Sequence, residues 1–480
     1  MSVTDLSNLD IAGLAKAIEA KQISPVEVCE SYLARIDALN PSLHAYISVY
    51  PELALDAARA AEGEIQAGTY RGPLHGVPLA VKDLFQVAGM VRTCGSKIID
   101  EGVAETDSTC VARLKDAGAV MLGLLNLHEF ALGATGINRN LAGSARNPWN
   151  PDRSSGGSSA GSGCATAARL AAGTLGTDTG GSIRIPASVC GVVGLKQTYG
   201  LASRHGIYPL CRDFDHGGPL ARTVRDAALL LQAIAGADPN DPTTRGAQVR
   251  DYTSLLGRDI KDLRIGIPSS FFFEKLHPEV ETAVNAAVHQ LESLGAQMRE
   301  IDLPFDARAG GQAWNTIALS EAYHLHAGDI RDHRDDLSPD MLKRMMLGEP
   351  ITARDLIEAH WLREDTQRAM AEVMTEVDLL VLPSCPIPAV SVEDGMLTHD
   401  GHVYDGVKIL ARATRLAAFT GQPAISVPCG FSSDGLPLGL QLIGDWFAEP
   451  VLLQAAHAYE QAAGWVDRVA PGAVLPGEAA

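Results

Sequence analysis

Two serines in this chain each follow a pair of glycines. Gly156-Gly157-Ser158 lies in "RSSGGSSAGSG" and Gly180-Gly181-Ser182 in "GTLGTDTGGSIRIP", and the two serines are 24 residues apart. A serine reached across two residues without side chains can be held open for attack on a carbonyl carbon. The same glycines let successive backbone N–H groups converge on one point, a nest able to hold a developing oxyanion. The chemistry this suggests is acyl transfer, with Ser182 as the nucleophile. An ordinary glycine turn would have the same composition, so neither loop decides the matter by itself.

A serine nucleophile needs a base. None of the 14 histidines is tied to Ser182 by a motif, and His128, His205 and His216 lie in loop-like contexts suited to solvated or core roles. Lys82, in "VPLAVKDLF", follows an apolar run at the end of a predicted strand, where burial would lower its pKa and leave a neutral, basic fraction. Asp83 falls on the opposite face if that strand continues. A competing reading starts from Gly157-Ser158-Ser159-Ala160-Gly161, which matches G-x-S-x-G, the nucleophile elbow of α/β-hydrolases, with Ser159 as nucleophile. The elbow requires a strand just before it, and "NPWNPDRSSG" is too rich in turn formers to be a central strand. A nucleotide-binding module is the other natural reading of a glycine-rich loop. No G-x-x-x-x-G-K-[ST] occurs, however, and "GTDTGG" is not G-x-G-x-x-G.

The elements that must position these residues alternate between helix and strand. "SPVEVCESYLARIDALNP" carries a capping box (Ser24, Glu27), Pro25 at the first helical position, and Cys29, Tyr32, Leu33 and Ile36 at helical intervals. "HGVPLAVKDLF" reads as a buried strand, "DSTCVARLKDAGAVMLG" as helix, glycine stop and strand, and "TLGTD" as a strand after a small-residue helix beginning near Ser159. The pattern returns in "LRIGIP", "HPEVETAVNAAVHQLESLGAQ" and "VDLLVLP". "AISVPCGFSSDGLPLGLQLIG" reads as a hairpin with Asp434-Gly435 in its turn. This is α/β architecture with mixed strand directions. The Gly/Ser-rich segment 154–163 lies inside that pattern, where a linker would split a continuous core, so it reads as a functional loop.

Composition agrees with an enzyme of small molecules. The 480 residues are 46% hydrophobic, enough to bury a large core, and the formal net charge of -19 with no Lys/Arg-rich run disfavours nucleic acid or another polyanion as partner. Eight cysteines without a C-x-x-C pair read as reduced thiols rather than a disulfide framework or zinc site. "MSVTDLSNLD" lacks the features of a signal peptide and no apolar run reaches membrane-spanning length, so the expectation is a cytoplasmic chain with no membrane association.

The run "GGSSAGSGCATAARLAAGTLGTDTGGSIRIPASVCGVVGLKQTYG", with "GVPLAVKDLF" upstream and "GQPAISVPCG" near the end, resembles the amidase signature family of serine amidases. The resemblance spans most of the chain. It implies one domain over residues 1–480 with a large mixed β-sheet covered by helices on both faces. Residues 1–70 would be a helical part and 71–240 the catalytic core, while 241–480 would carry the remaining sheet, a helical pocket region and the C-terminal hairpin and helix. It implies a Ser-cisSer-Lys triad in which Ser182 matches the nucleophile, Ser158 the bridging serine after a cis peptide bond, and Lys82 the base. Oxyanion donors would come from the backbone of Thr179, Gly180, Gly181 and Ser182.

The resemblance further implies a substrate pocket lined partly by residues 307–376 and by the loop bearing Leu132 and Gly133. No metal or cofactor is implied, and a homodimer is left open. Asp178 and Arg184, flanking the nucleophile, read as supports of the loop, with Arg184 also a candidate for substrate contact. Within the family, "NLHEFALG" and "KRMMLG" are similar to the glutamine-hydrolysing component of glutamine-dependent amidotransferases. Glutamine-using members carry an Asp shortly before the stretch matching "GQPAISVP". Here "KILARATRLAAFTG" offers Arg412 and Arg415 and no acid. The expectation is therefore a free-standing amidase acting on an amide-type bond of a small molecule. The alternatives are the glutamine-hydrolysing component of an amidotransferase and a catalytically silent partner protein.

Overall fold

The computed structural model describes residues 3–141, 143–269 and 271–475. Its centre is one sheet of eleven strands drawn from almost the whole chain. In chain order they are β1 (Tyr46–Val49), β2 (Pro78–Lys82), β3 (Val120–Leu125), β4 (Gly173–Thr177), β5 (Val193–Lys196), β6 (Gly217–Ala221), β7 (Arg264–Pro268), β8 (Gln297–Ile301), β9 (Leu379–Pro383), β10 (Ala424–Phe431) and β11 (Pro437–Gly444). The spatial order is β1-β3-β2-β4-β6-β5-β10-β11-β9-β7-β8. β3, β2 and β4 run parallel, as do β9, β7 and β8. The remaining neighbours are antiparallel, so the sheet is mixed.

Helices cover both faces. Successive side chains of a strand point to opposite sides, and β9 shows what each side meets. Leu379 and Val381 join a cluster with Val284 and Leu291 of helix Pro278–Ser293 and Leu452 of helix Glu449–Ala463. Leu380 and Leu382 join Met370 and Val373 of helix Ala353–Glu376. A strand buried on both faces has no polar face to show, which is why "VDLLVLP" reads as a continuous apolar run.

Local signals act where expected. Ser24 and Glu27 form the capping box of helix Pro25–Leu43, which buries Cys29, Tyr32 and Ile36. Helix Thr109–Asp116 stops ahead of Gly118, whose φ of +87° suits glycine, and β3 follows. The hairpin β10–β11 turns at Gly435 with φ +77°. Two differences stand out. The N-terminal part is not purely helical, because "YISV" between two helices pairs with β3 as the sheet's edge strand. The turn-rich "NPDRS" does form a strand, but only in a small ladder with Arg146–Asn147, separate from the large sheet. The region 307–376 is helical, with Ala307–Leu325 and Ala353–Glu376 as its long members.

Candidate active site

β2 and β4 are parallel neighbours, paired through Leu79–Gly173, Ala80–Thr174 and Val81–Leu175. Their carboxyl ends therefore lie side by side, the edge of an α/β sheet at which ligand sites form. Lys82 is the last residue of β2 and Thr177 the last of β4. Lys82 Nζ lies 2.7 Å from Thr177 Oγ1 and 2.7 Å from Ser158 Oγ, and Lys82 and Ser158 have no solvent exposure. Burial pulls the Lys82 pKa from its ordinary value down to about 7, although the carboxylates of Asp215 and Asp178 favour the charged form. Asp83 turns away, as expected of the next residue. Its carboxylate accepts from the Thr93 backbone N–H at 3.1 Å and from Thr93 Oγ1.

The Gly157–Ser158 peptide bond is cis. Gly157 is closed in by backbone, since a Cβ there would lie 2.4 Å from Gly136 N and 2.7 Å from Gly133 O. This loop is laced to its neighbours: Gly157 N–H donates to Ala134 O (2.8 Å), His128 N–H to Ser158 O (3.0 Å) and Ser159 N–H to Ser182 O (3.2 Å). Ser182 stands at the start of the turn into helix Arg184–Cys190 and is 9% exposed, against 0% for its two partners in the expected triad. Of the three it is the one that solvent reaches.

The loop 178–182 is held from behind by groups distant in sequence. Asp178 and Arg184, both without exposure, form a bidentate pair, with Arg184 Nε to Oδ2 at 2.9 Å and Nη2 to Oδ1 at 2.8 Å. Burial opposes the charge on Asp178, but the Arg184 guanidinium outweighs it and holds the carboxyl at about 2. Arg184 Nη1 donates to Thr414 O and Gln441 Oε1, each at 2.7 Å. Every guanidinium nitrogen is thus occupied inside the protein. The expectation that Arg184 also reaches substrate is corrected, and its contacts are those of a loop support.

Trp314 Nε1 donates to Thr179 O at 3.0 Å and Thr414 Oγ1 to Gly180 O at 2.7 Å. In a trans peptide the C=O and the following N–H point in opposite directions. Fixing the Thr179 carbonyl against the indole therefore aims the Gly180 N–H toward the other side. Gly181 departs from expectation. Its N–H donates to Asp178 Oδ1 at 2.8 Å, so it is occupied, whereas the N–H groups of Thr179, Gly180 and Ser182 have no protein partner among the described residues. What Gly181 supplies is its φ of +134°, and a Cβ there would lie 2.1 Å from Thr414 Oγ1.

The remaining sequence candidates separate cleanly. Ser159 is fully buried and its hydroxyl is spent on the backbone, donating to Thr177 O (3.1 Å) and accepting from Thr177 N–H (3.2 Å), so it is not an exposed elbow nucleophile. His205 is exposed, and His216 is a core residue whose Nε2 lies 3.2 Å from Lys196 Nζ. His128 lines a cavity of about 1010 Å³ together with Leu132, Gly133 and Arg415. Burial, with the charges of Arg344 and Lys82, pushes its pKa down to about 3. Arg412 faces elsewhere, donating to Glu274 O at 2.5 Å and lining a smaller cavity beside Phe271. Thr177, Trp314, Thr414, Gln441 and Asp215 were not anticipated. Only Thr177 had a readable signal, as a hydroxyl at the end of the strand that precedes the nucleophile loop.

Known proteins resemble this chain over nearly its whole length. Residues 27–453 match the family model described as Amidase. The chain is 39% identical to the A subunit of the glutamyl-tRNA(Gln) amidotransferase from Nitrosococcus oceani, covering 96% of this chain and 99% of that protein. It is 40% identical to an amidase of Pseudomonas putida, covering 97% and 98%. Among solved structures it superposes, with a TM-score of 0.90 and 35% identity over 95% of this chain and 99% of the other, on a chain from a vestigial protein complex that reveals the evolutionary origins of an s-triazine catabolic enzyme.

Proposed function

This chain belongs to the amidase signature family, and from that premise we propose that it hydrolyses a carbon–nitrogen amide-type bond of a small molecule through an acyl-enzyme on Ser182. The observation that carries the reading is Lys82 Nζ, fully buried and 2.7 Å from Ser158 Oγ, on a loop bonded to the backbone of Ser182. A lysine with a pKa of about 7 is substantially neutral at pH 7, and its amine lone pair can take a proton.

In the proposed sequence Ser182 Oγ attacks the carbonyl carbon, its proton passes to Ser158 Oγ, and the Ser158 proton passes to Lys82 Nζ. The tetrahedral oxyanion is met by the unpaired N–H groups of Thr179, Gly180 and Ser182. As the C–N bond breaks, the Lys82 ammonium returns the proton through Ser158 to the leaving nitrogen. Water then attacks the acyl-Ser182 ester by the same relay, releasing the acid and restoring Ser182. Asp178, Arg184, Trp314 and Thr414 hold the loop without touching the reacting atoms.

A second reading, the glutamine-hydrolysing component of an amidotransferase, is favoured by the description of the Nitrosococcus oceani relative. The two are separated by turnover of the purified chain on aliphatic amides, aryl amides, carbamates, ureas and glutamine. Labelling of Ser182 by a fluorophosphonate accompanies the assay. Turnover of amides with glutamine inert supports the free-standing amidase, and ammonia release from glutamine alone supports the amidotransferase reading. Failure of Ser182 to label removes the nucleophile assignment.

A further inference from the structure

The antiparallel ladder between β4 and β6 ends with Thr177 facing Gly217. The pairing nevertheless runs on past both strands, since Asp178 N–H donates to His216 O at 2.9 Å and His216 N–H to Asp178 O at 3.1 Å. The next facing residues are Thr179 and Asp215, and Thr179 Oγ1 donates to Asp215 Oδ1 at 2.6 Å. Alternate residues of a paired segment share a face. Asp178 and His216 take one face, where they meet Arg184 and Lys196. Thr177, Thr179 and Asp215 take the other, and Gly217 leaves the place beside Thr177 without a side chain. Lys82 Nζ reaches that second face at Thr177 Oγ1, 2.7 Å away.

Asp215 is buried, and its second oxygen accepts the N–H groups of Leu210 (2.8 Å) and Cys211 (3.0 Å). It has these three donors and, among the described residues, no ion pair. Burial pushes its carboxyl up to about 6, so it is still mostly ionised at pH 7. Lys82 is its counterpart, fully buried, bonded to two hydroxyls and likewise without an ion pair among the described residues. After burial, the charge of Asp215 is the largest influence on that amine. The other groups around the two are committed or uncharged. Asp178 is bound to Arg184, and Arg204, which faces Asp215, is bound to Asp241. Burial keeps the thiols of Cys94 and Cys211 protonated, the latter beside Glu321, and keeps His128 and His216 neutral. A proton arriving on Lys82 thus makes a buried ammonium, which is costly unless an anion offsets it.

We propose that Asp215 is a positioning residue of the reaction: its carboxylate, fixed by Thr179 and by the turn at Leu210 and Cys211, is the negative charge that balances the ammonium forming on Lys82. Asp215 takes no proton. The Ser182 proton moves to Ser158 Oγ and the Ser158 proton to Lys82 Nζ, so the oxyanion and the ammonium appear together and the carboxylate stays ionised throughout. This rests on the reading of Ser182 and Lys82 as nucleophile and base, and it adds the group that sets the strength of that base.

The test is the rate at which a fluorophosphonate labels Ser182 in the purified full chain from about pH 5 to about pH 10, with thermal melting in parallel. Asp215→Asn can keep all three contacts, with its amide oxygen toward the Leu210 and Cys211 N–H groups and its NH2 donating to Thr179 Oγ1. Only the charge is lost, and the ammonium becomes harder to form. The half-rise should move from near pH 7 to a pH lower by about one unit, and the alkaline plateau should fall roughly tenfold, because the relay forms that same ammonium. The two effects cancel on the acid limb, where this protein and wild type should label at similar rates. A merely loosened site would lower the rate alike at every pH. Asp215→Glu and Asp215→Gln, matched in shape and different in charge, give a second comparison that does not depend on the asparagine protein folding. The glutamate protein should have the higher half-rise and the higher plateau. A half-rise that stays in place in Asp215→Asn, a parallel fall at every pH, or glutamate and glutamine proteins with one profile would overturn the proposal. A wild-type chain that does not label at Ser182, or a rise with pH that survives in Lys82→Ala, defeats the relay and this proposal with it, and is told apart because it needs no change at Asp215.

Discussion

Lys82 Nζ lies 2.7 Å from Ser158 Oγ with both residues fully out of water, so the amine beside the proposed nucleophile loop is one that burial has made a base. The neutral form is the active one in the proposed relay, and its fraction grows as pH rises. kcat/KM should therefore climb with a half-rise near pH 7 and plateau on the alkaline side. A free imidazole titrates near about 6.5, so position alone does not distinguish the two. The histidines of this region do, because His128 is pushed down to about 3 and His216 well below its ordinary value. Lys82→Ala should lose orders of magnitude in acylation together with the pH rise, and Lys82→Arg should fail as well. An active Lys82→Ala protein with the wild-type profile removes lysine from the mechanism. The same shift makes the protein gain stability between about pH 7 and about 10.4, where the unfolded chain binds the extra proton.

Ser182→Ala should lower amide hydrolysis by at least about 10⁴-fold, the scale of losing a serine nucleophile. The residue is 9% exposed, and among the described residues no hydrogen bond of its side chain supports the fold. Melting temperature should stay within a few degrees of wild type. With an activated ester, wild-type enzyme should release a burst of product proportional to enzyme where deacylation is slower than acylation. Amide turnover near the wild-type rate in Ser182→Ala would be decisive against the acyl-enzyme.

Thr177 Oγ1 is the second partner of Lys82 Nζ, and its replacement tests whether the amine has to be positioned. Thr177→Val keeps the shape and removes the acceptor, which disfavours the ammonium further and shifts the half-rise to lower pH. kcat/KM at the plateau should fall roughly 10- to 100-fold, the cost of leaving a buried polar group short of one partner. Thr177→Ser should return both the plateau and the profile. A profile that stays in place in Thr177→Val would confine Thr177 to packing.

The Asp178–Arg184 pair is buried on both sides. Arg184→Met leaves a carboxylate without its cation, and urea unfolding should show a loss of about 3–5 kcal/mol. Asp178 is held at about 2 in the folded protein against about 3.9 when exposed. Its contribution is therefore fully present above about pH 3.9 and fades as pH falls through about 2. In the Arg184→Met protein this acid dependence should move to higher pH. A loss of catalysis with unchanged stability would instead return Arg184 to the substrate.

Much of this protein was determined by its sequence. The apolar runs of "PLAVK" and "LLVLP", the capping box at Ser24 and the glycine stop at Gly118 specify elements through contacts a few residues long, and the structure forms them there. The two Gly-Gly-Ser loops and Lys82 were legible for the same reason, since glycine pairs and a lysine closing an apolar strand are local features. What only the tertiary structure decided is which groups meet. Trp314 reaches Thr179 across 135 positions, Thr414 reaches Gly180 across 234 and Arg184 reaches Gln441 across 257. Such meetings follow from strand order in the sheet, and backbone hydrogen bonds between strands are alike whatever the residues are. So the sequence could nominate Gly181 as an anion donor, but only the fold, by bringing Asp178 Oδ1 within 2.8 Å of its N–H, shows that this donor is already taken.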